Sequence, residues 1–147
     1  MTAAESDRSA WVLLDTHTML WMVEDHPRLG DQAAIMLSRS ACDDRIAISA
    51  ITPWEIALLV SKRRIDLHRD ALEWLNAALS LSGIHLVPLD PEIAVASTRL
   101  PFEMHPDPAD RILVATARHL GATLVTADRA LLKLAKKGHF RAIDAAK

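Results

Sequence analysis

Short apolar runs rich in branched residues alternate along the chain with longer stretches in which apolar positions recur at helical spacing. The apolar runs predict β-strands at 11–15, 45–49, 84–89, 122–126 and 139–143. The stretches between them predict helices at 16–23, 31–40, 52–62, 70–80, 91–98, 108–119 and 129–136. Strands separated by helices indicate βαβ crossovers. The pattern therefore predicts an α/β fold whose parallel sheet is covered by helices on both faces.

The length of 147 residues favours one domain. We expect residues 1–9 to form a flexible arm and residues 10–147 to form a single domain. The proline-containing stretch 100–108 is predicted to be a loop within it, because composition is similar on both sides. The start of the chain lacks the basic flank of a signal peptide, and no run approaches the ~20 apolar residues that span a bilayer. With Cys42 as the single cysteine, a reducing compartment and a cytoplasmic location are expected.

Charge and motif content exclude several function classes. The formal net charge is −2 and the pI about 6.4, which is not the basic balance of a general nucleic-acid binder. The four glycines form neither a phosphate-binding nor a dinucleotide-binding loop. Ser49 lacks the Gly-x-Ser-x-Gly setting of a nucleophile, and His105 with Asp107 lacks the further His or Cys of a transition-metal site.

Four acidic residues occupy positions that a parallel sheet would bring together. Asp15 and Asp128 each directly follow a predicted strand, and Glu55 and Asp110 lie in the first turn of predicted helices. The carboxyl ends of parallel strands meet at one edge of an open sheet, where ligands bind. Carboxylates gathered there repel one another unless a cation lies between them, and a hard divalent cation prefers oxygen ligands. The pattern predicts metal-dependent phosphodiester chemistry.

Each of these acids also has a purely structural interpretation as a helix cap. Thr52-Pro53-Trp54-Glu55 has the form of a capping box, in which Glu55 would reach back to the Thr52 backbone N–H. Asp107 is a predicted N-cap, and Asp110 in the following turn suits the helix dipole. The two aspartates at strand ends can cap the helices that follow them. Capping and ligation are compatible, so the sequence leaves both open.

Four ordered sequence blocks resemble the PIN-domain ribonucleases of the VapC toxin type. The order and spacing of the blocks match over about residues 11–137, and the blocks are Leu13-Leu14-Asp15-Thr16-His17 with Leu20-Trp21, Ser49-Ala50-Ile51-Thr52-Pro53-Trp54-Glu55-Ile56, His105-Pro106-Asp107-Pro108-Ala109-Asp110-Arg111-Ile112, and Leu124-Val125-Thr126-Ala127-Asp128. The resemblance implies a three-layer α/β/α sandwich with a parallel sheet in strand order 3-2-1-4-5. It also implies Mg²⁺- or Mn²⁺-dependent endoribonuclease cleavage of RNA, a toxin role with a cognate antitoxin as partner, and a homodimer.

The resemblance also assigns roles to particular residues. Asp15, Glu55 and Asp110 would hold the first cation, and Asp128 would complete the pocket directly or through water. Thr16 and Thr126 are expected to orient the carboxylates by hydrogen bonds. The candidate RNA contacts are Arg111, Lys62 and Arg63, for which an ion pair on a helix surface or a solvated helix end is the alternative.

Two other function classes fit parts of the pattern. A PIN-like domain with a full acid set can serve as a non-catalytic RNA- or protein-binding module. A DNA or flap nuclease is a weaker alternative, because such enzymes carry more acids and a helical arch, and the chain has no obvious insertion for one.

Overall fold

The chain folds around a five-stranded parallel sheet in a computed structural model that describes residues 10–147. The strands are β1 (Val12–Leu14), β2 (Ile46–Ser49), β3 (Ile84–Val87), β4 (Thr123–Thr126) and β5 (Arg141–Asp144). Their order across the sheet is β3-β2-β1-β4-β5, and every neighbouring pair is parallel. This confirms the predicted parallel sheet and its strand order. The arm predicted at residues 1–9 lies outside the described residues.

The helices are α1 (Thr16–Val23), α2 (Asp31–Cys42), α3 (Ile51–Ser61), α4 (Ala71–Leu79), α5 (Pro91–Thr98), α6 (Pro108–Leu120) and α7 (Arg129–Lys136). All seven predicted helices are present, with ends within about two residues of expectation. The clearest difference is β5, which begins at Arg141 rather than at residue 139. Gly138 adopts a left-handed φ of 91°, and the His139 carbonyl accepts a hydrogen bond from Arg118, so these residues belong to the turn.

Two hydrophobic clusters cover the two faces of the sheet, because successive side chains of a strand point to opposite faces. Leu14 belongs to the cluster that includes Met19 of α1, Leu37 of α2 and Trp74 of α4. Its neighbour Leu13 belongs to the other cluster, whose helical members come from α6 and α7 and are Leu113, Val114, Ala117 and Leu131. The result is the three-layer α/β/α arrangement. No helix of the described part is long and apolar enough to cross a membrane.

The strand order determines where polar side chains can meet. β1 lies between β2 and β4, with Leu14 in register with Ile48 and Val125. The residues that follow these three strands therefore lie side by side at the carboxyl edge of the sheet. β3 is an edge strand, and Asp90 beyond it caps α5 by accepting from the Ile93 backbone N–H at 2.9 Å. This order separates Asp90 from the ends of the central strands.

Candidate active site

Asp15 lies at the carboxyl end of the central strand and is 9% exposed. Its Oδ1 accepts from the Thr18 backbone N–H at 2.8 Å, which caps α1. Its Oδ2 accepts from the hydroxyl of Thr126, at the end of β4. The same hydroxyl accepts from the Asp128 backbone N–H at 3.0 Å. Thr126 therefore joins Asp15 to the segment that carries Asp128.

Glu55 reaches from α3 to α1 and takes no part in a capping box. Its Oε1 accepts from the Thr16 hydroxyl at 2.5 Å. α3 begins at Ile51, and the Ile51 backbone N–H donates to the Ser49 hydroxyl at 3.2 Å. The buried Thr52 hydroxyl has no hydrogen-bond partner among the described residues. The capping-box interpretation of Glu55 is wrong, because the N-cap position is Ala50 rather than Thr52, and no side chain caps the helix from that position. The Glu55 carboxylate instead faces Thr16, 39 residues away in sequence.

Asp107 caps α6 and thereby leaves Asp110 available for other contacts. Asp107 Oδ1 accepts from the backbone N–H groups of Ala109 and Asp110 at 2.9 and 3.2 Å. The Asp110 side chain is 22% exposed, and its Oδ2 lies 3.4 Å from His105 Nε2. Asp110 is thus a half-buried acid beside a histidine.

Asp128 is the most open of the four acids. It is exposed, and its Oδ1 accepts from the Leu131 backbone N–H at 3.0 Å as the N-cap of α7. The structural and functional interpretations of Asp15 and Asp128 therefore coexist, since each capping bond uses a single carboxylate oxygen.

The electrostatics show that these acids share one neighbourhood. Burial raises the pKa of Glu55, and the charges of Asp107 and Asp15 raise it further, against the lowering effects of the Thr16 hydrogen bond and of His17. Burial, followed by the charges of Asp107 and Asp128, raises the pKa of Asp110 from its ordinary 3.8 to about 7, and Glu55 adds to this. Such shifts mean that, in the absence of a cation, the surroundings of Glu55 and Asp110 favour the neutral form of these two acids.

Basic side chains do not neutralise this cluster. Across residues 10–147, no Lys or Arg lies within 4.0 Å of an oxygen of Asp15, Glu55, Asp110 or Asp128. The donor set, with only carboxylate oxygens and neighbouring hydroxyls, matches the oxygen preference of a hard divalent cation. In the same residues no group of three or more His, Cys, Asp or Glu side chains is arranged to hold a metal ion. The described oxygens are turned instead toward Thr16, Thr18, Thr126 and Leu131.

The basic residues expected to contact RNA lie elsewhere or are engaged. The Arg111 guanidinium donates to the carbonyl oxygens of Ser97 at 2.9 Å and Met104 at 3.4 Å, so it braces the loop before α6. Lys62 and Arg63 are exposed just beyond the end of α3. Since Glu55 and Lys62 are seven residues apart, they are separated by about 10 Å along the helix axis. The structure does not bring Lys62 or Arg63 to the acids.

Three residues of this neighbourhood were not among the predicted site residues. His17 is exposed between buried neighbours on α1 and acts on Glu55, while His105 and Asp107 flank Asp110. For Asp107 the sequence did contain a signal. In Asp107-Pro108-Ala109-Asp110 an N-cap aspartate stands three residues before a second acid, which indicates that the two carboxylates lie close together. Nothing in the local pattern marks His17, because it acts on Glu55, 38 residues away, whereas His105 lies five residues before Asp110 in the third block of the resemblance.

Comparison with known proteins agrees with the fold. The PIN domain family model matches residues 12–137. Ribonuclease VapC22 of Mycobacterium tuberculosis (strain ATCC 25618 / H37Rv) is 35% identical over 120 residues, which are 82% of this chain and 88% of that protein. The VapBC2 structure from Rickettsia felis, bound to a promoter DNA fragment, matches with a TM-score of 0.65 at 18% identity, covering 90% of this chain and 97% of the other. DNA-bound VapBC from Salmonella typhimurium matches with a TM-score of 0.62 at 17% identity, covering 92% and 98%.

The fold and the acidic edge define a PIN-domain protein, and the chain belongs to this family. Among its relatives, the similarity to Ribonuclease VapC22 extends over most of both chains and connects this chain with the VapC-type ribonucleases. The two structural relatives, at below 25% identity, support the fold alone.

Proposed function

We propose that the chain is a divalent-metal-dependent endoribonuclease and the toxin of a toxin–antitoxin pair. The observation that carries the proposal is the cluster of four carboxylates from distant chain segments, none of them paired with Lys or Arg among residues 10–147. The similarity to a ribonuclease over 82% of the chain supports the choice of RNA as substrate.

Asp15, Glu55 and Asp110 would hold the cation, with Asp128 completing the site directly or through water. We propose Mg²⁺, or Mn²⁺ in its place, because hard cations suit carboxylate oxygens. When bound, such a cation lowers the pKa of a water molecule and offsets the charge that develops on the phosphate. No three of the described acids form a ligand set in their present positions, so the side chains would have to move closer together to share a cation.

The surrounding residues prepare the carboxylates for this task. Thr126 and Thr16 donate to Asp15 and Glu55 and so set the direction of each carboxylate. Arg111 donates to the Ser97 carbonyl in α5 and to the Met104 carbonyl in the loop that carries His105 and Asp107, so it ties this loop to α5. The raised pKa of Asp110 means that cation binding and proton release from this acid are coupled near neutral pH.

A cognate antitoxin is the proposed protein partner. The structural relatives include VapBC assemblies from Rickettsia felis and Salmonella typhimurium. An antitoxin that covers the acidic edge would block substrate entry. We also propose that the chain forms a homodimer and acts in the cytoplasm.

The test compares cleavage of single-stranded RNA by the purified chain and by Asp15→Asn, with magnesium and with EDTA. Asparagine keeps the size and the acceptor oxygen that caps α1, but it removes the charge. We expect cleavage only with magnesium and only by the parent chain. Asp90→Asn is the matched control, since Asp90 caps α5 beyond the edge strand and should remain active. Full activity in Asp15→Asn would remove the proposal.

The absence of a formed ligand set among residues 10–147 favours one second candidate, a non-catalytic RNA- or protein-binding module. This candidate predicts RNA binding that is unchanged by EDTA, together with intact RNA after long incubation in magnesium or manganese. Cleavage that depends on the divalent ion would exclude it.

A further inference from the structure

A basic groove lies beside the edge strand β5 and the start of β4. Its volume is about 1130 Å³, and it is bounded by α7, β5 and the end of α6. Six basic residues line it: Arg118, Arg129, Lys133, Lys136, Arg141 and Lys147. Asp144 is the one acid in its lining. In a chain of formal net charge −2, this is a strong local concentration of positive charge.

The cations of α7 form a stripe along the groove. Arg129, Lys133 and Lys136 are four and three residues apart, so they lie on one face of the helix. Arg129 and Lys136 are seven residues apart, so the stripe extends about 10 Å along the helix axis. All three side chains are exposed, and the described residues place no acid within 4.0 Å of their charged ends. Arg118 and Arg141 are partly engaged, since they donate to the carbonyl oxygens of His139 and Gly121.

One end of this stripe meets the acidic edge. α7 begins directly after Asp128, so Arg129 is next to a proposed cation ligand. On the other wall, Asp144 of β5 is in register with Thr126 of β4, which donates to Asp15. Neighbouring strands are about 4.8 Å apart. The groove therefore starts one strand spacing from Thr126, and about two from the buried Asp15, because β4 lies between β1 and β5. From there it runs toward the opposite edge of the sheet.

We propose that the basic groove binds the sugar–phosphate backbone of single-stranded RNA on one side of the cleaved bond. The inference rests on the proposed ribonuclease function and adds the path of the substrate. An overall acidic chain has no general attraction for RNA, so local cations must supply the phosphate contacts. The groove supplies them in a row that ends at the acids.

The composition of the groove favours RNA over an acidic protein partner. Protein interfaces depend on buried apolar and aromatic anchors near their centre. Ile143 is the one large apolar side chain of the lining that is strongly exposed, at 40%, while the aromatic Phe140 is 9% exposed and packs inside. Exposed lysines and an arginine on one helix face suit phosphate groups, because phosphates are bound mainly through their negative charge and not through a pocket of particular shape.

The experiment measures RNA binding in an Asp15→Asn background, so that the RNA stays intact. A long, fluorescently labelled single-stranded RNA is titrated at constant magnesium over a series of NaCl concentrations. We expect Lys133→Ala/Lys136→Ala to weaken binding about tenfold at moderate salt. The dependence of log K on log salt should become shallower by about 1.4, since each lost phosphate contact on a single strand contributes ~0.7.

The matched control is Arg39→Ala/Arg69→Ala, which removes the same charge from exposed positions outside the groove. It should bind RNA as the background protein does, with an unchanged salt dependence. An equal loss in this control, or unchanged binding by the lysine variant, would overturn the groove assignment. The assignment would also be overturned if poly-glutamate bound as tightly as RNA and lost its binding on substitution of the same lysines.

Two further readouts separate this inference from the proposed function. In the active chain, the lysine variant should raise KM for a long RNA and leave kcat/KM unchanged for a trinucleotide that is too short to enter the groove. If the parent chain cleaves no RNA in magnesium and the Asp15→Asn background binds none, the ribonuclease function itself fails. If it binds RNA but the lysine substitutions have no effect, only the groove is rejected.

Discussion

The Thr126 hydroxyl donates to Asp15 Oδ2, although the two residues are 111 positions apart in the chain. It also accepts from the Asp128 backbone N–H at 3.0 Å, so one side chain holds two segments of the acidic edge. This link exists because β1 and β4 are adjacent in the sheet. The arrangement makes Thr126 a positioning residue for the proposed cation ligands.

Replacing Thr126 with valine should impair the site more than its small change in size suggests. Valine keeps the shape but leaves Asp15 without one of its donors and the Asp128 N–H without its acceptor. We expect RNA cleavage to fall ~10–100-fold through weaker metal affinity, and the free energy of unfolding to fall by about 1–3 kcal/mol. Magnesium titration of activity and chemical denaturation measure the two effects.

Thr116→Val is the control for this substitution. Thr116 is also buried, but its hydroxyl donates to the Ile112 carbonyl within α6 and touches no acid. It should leave the magnesium dependence unchanged. An equal shift in both variants would show that Thr126 has no special role at the site.

The raised pKa of Asp110 predicts that the cation-free protein loses stability as the pH rises. The folded-state pKa is about 7, against an ordinary value of 3.8. The folded protein therefore holds this proton more tightly than the unfolded chain does, and the contribution is full below 3.8 and lost as the pH rises through 7. The pKa of Glu55 is raised in the same direction. Melting temperatures in EDTA should fall across this range.

Magnesium should reverse the loss, because ligands must be deprotonated to bind a cation. We expect a small rise in melting temperature from magnesium near pH 5 and a large one at pH 8. Asp110→Asn should flatten the EDTA profile and remove most of the response to magnesium. A variant profile that runs parallel to the parent would contradict the assignment of this titration to Asp110.

Two glycines with left-handed backbone conformations should respond differently to substitution by alanine. Gly83 has a φ of 85°, and a Cβ there would lie 2.1 Å from the Ala41 carbonyl oxygen. Gly121 has a φ of 62° and no atom within 4 Å of the same position. We expect Gly121→Ala to cost about 1–2 kcal/mol for the conformation alone, and Gly83→Ala clearly more, because backbone atoms must move. Urea unfolding of the two variants tests the difference, and equal losses would contradict it.

Thr52→Val should be neutral or stabilising. The Thr52 hydroxyl is fully buried and has no hydrogen-bond partner among the described residues. Leaving such a group buried costs about 1–3 kcal/mol, and valine removes it without opening a cavity. Thermal unfolding should show an equal or higher midpoint than that of the parent. A marked drop would mean that the hydroxyl has a partner, such as a bound water molecule.

The sequence by itself determined the features that depend on a few neighbouring residues. Strands and helices follow from apolar spacing, and the caps formed by Asp107, Asp15 and Asp128 use N–H groups two or three residues away. Even so, the capping box that Thr52 and Glu55 could form is absent, because α3 has Ala50 rather than Thr52 at its N-cap position. The resemblance to a known family, rather than local pattern, supplied the strand order.

Only the tertiary structure decided which groups face one another. Thr16 meets Glu55, and Arg111 meets the carbonyl oxygens of Ser97 and Met104, because helices from different chain regions pack at the same edge. The basic groove likewise joins the ends of α6, α7 and β5, whose cations look like ordinary solvated charges when taken along the chain. A helix cap joins residues two or three positions apart, so local backbone geometry determines it. The contacts between distant segments depend instead on how the helices pack on the sheet, and the spacing of residues along the chain does not encode that packing.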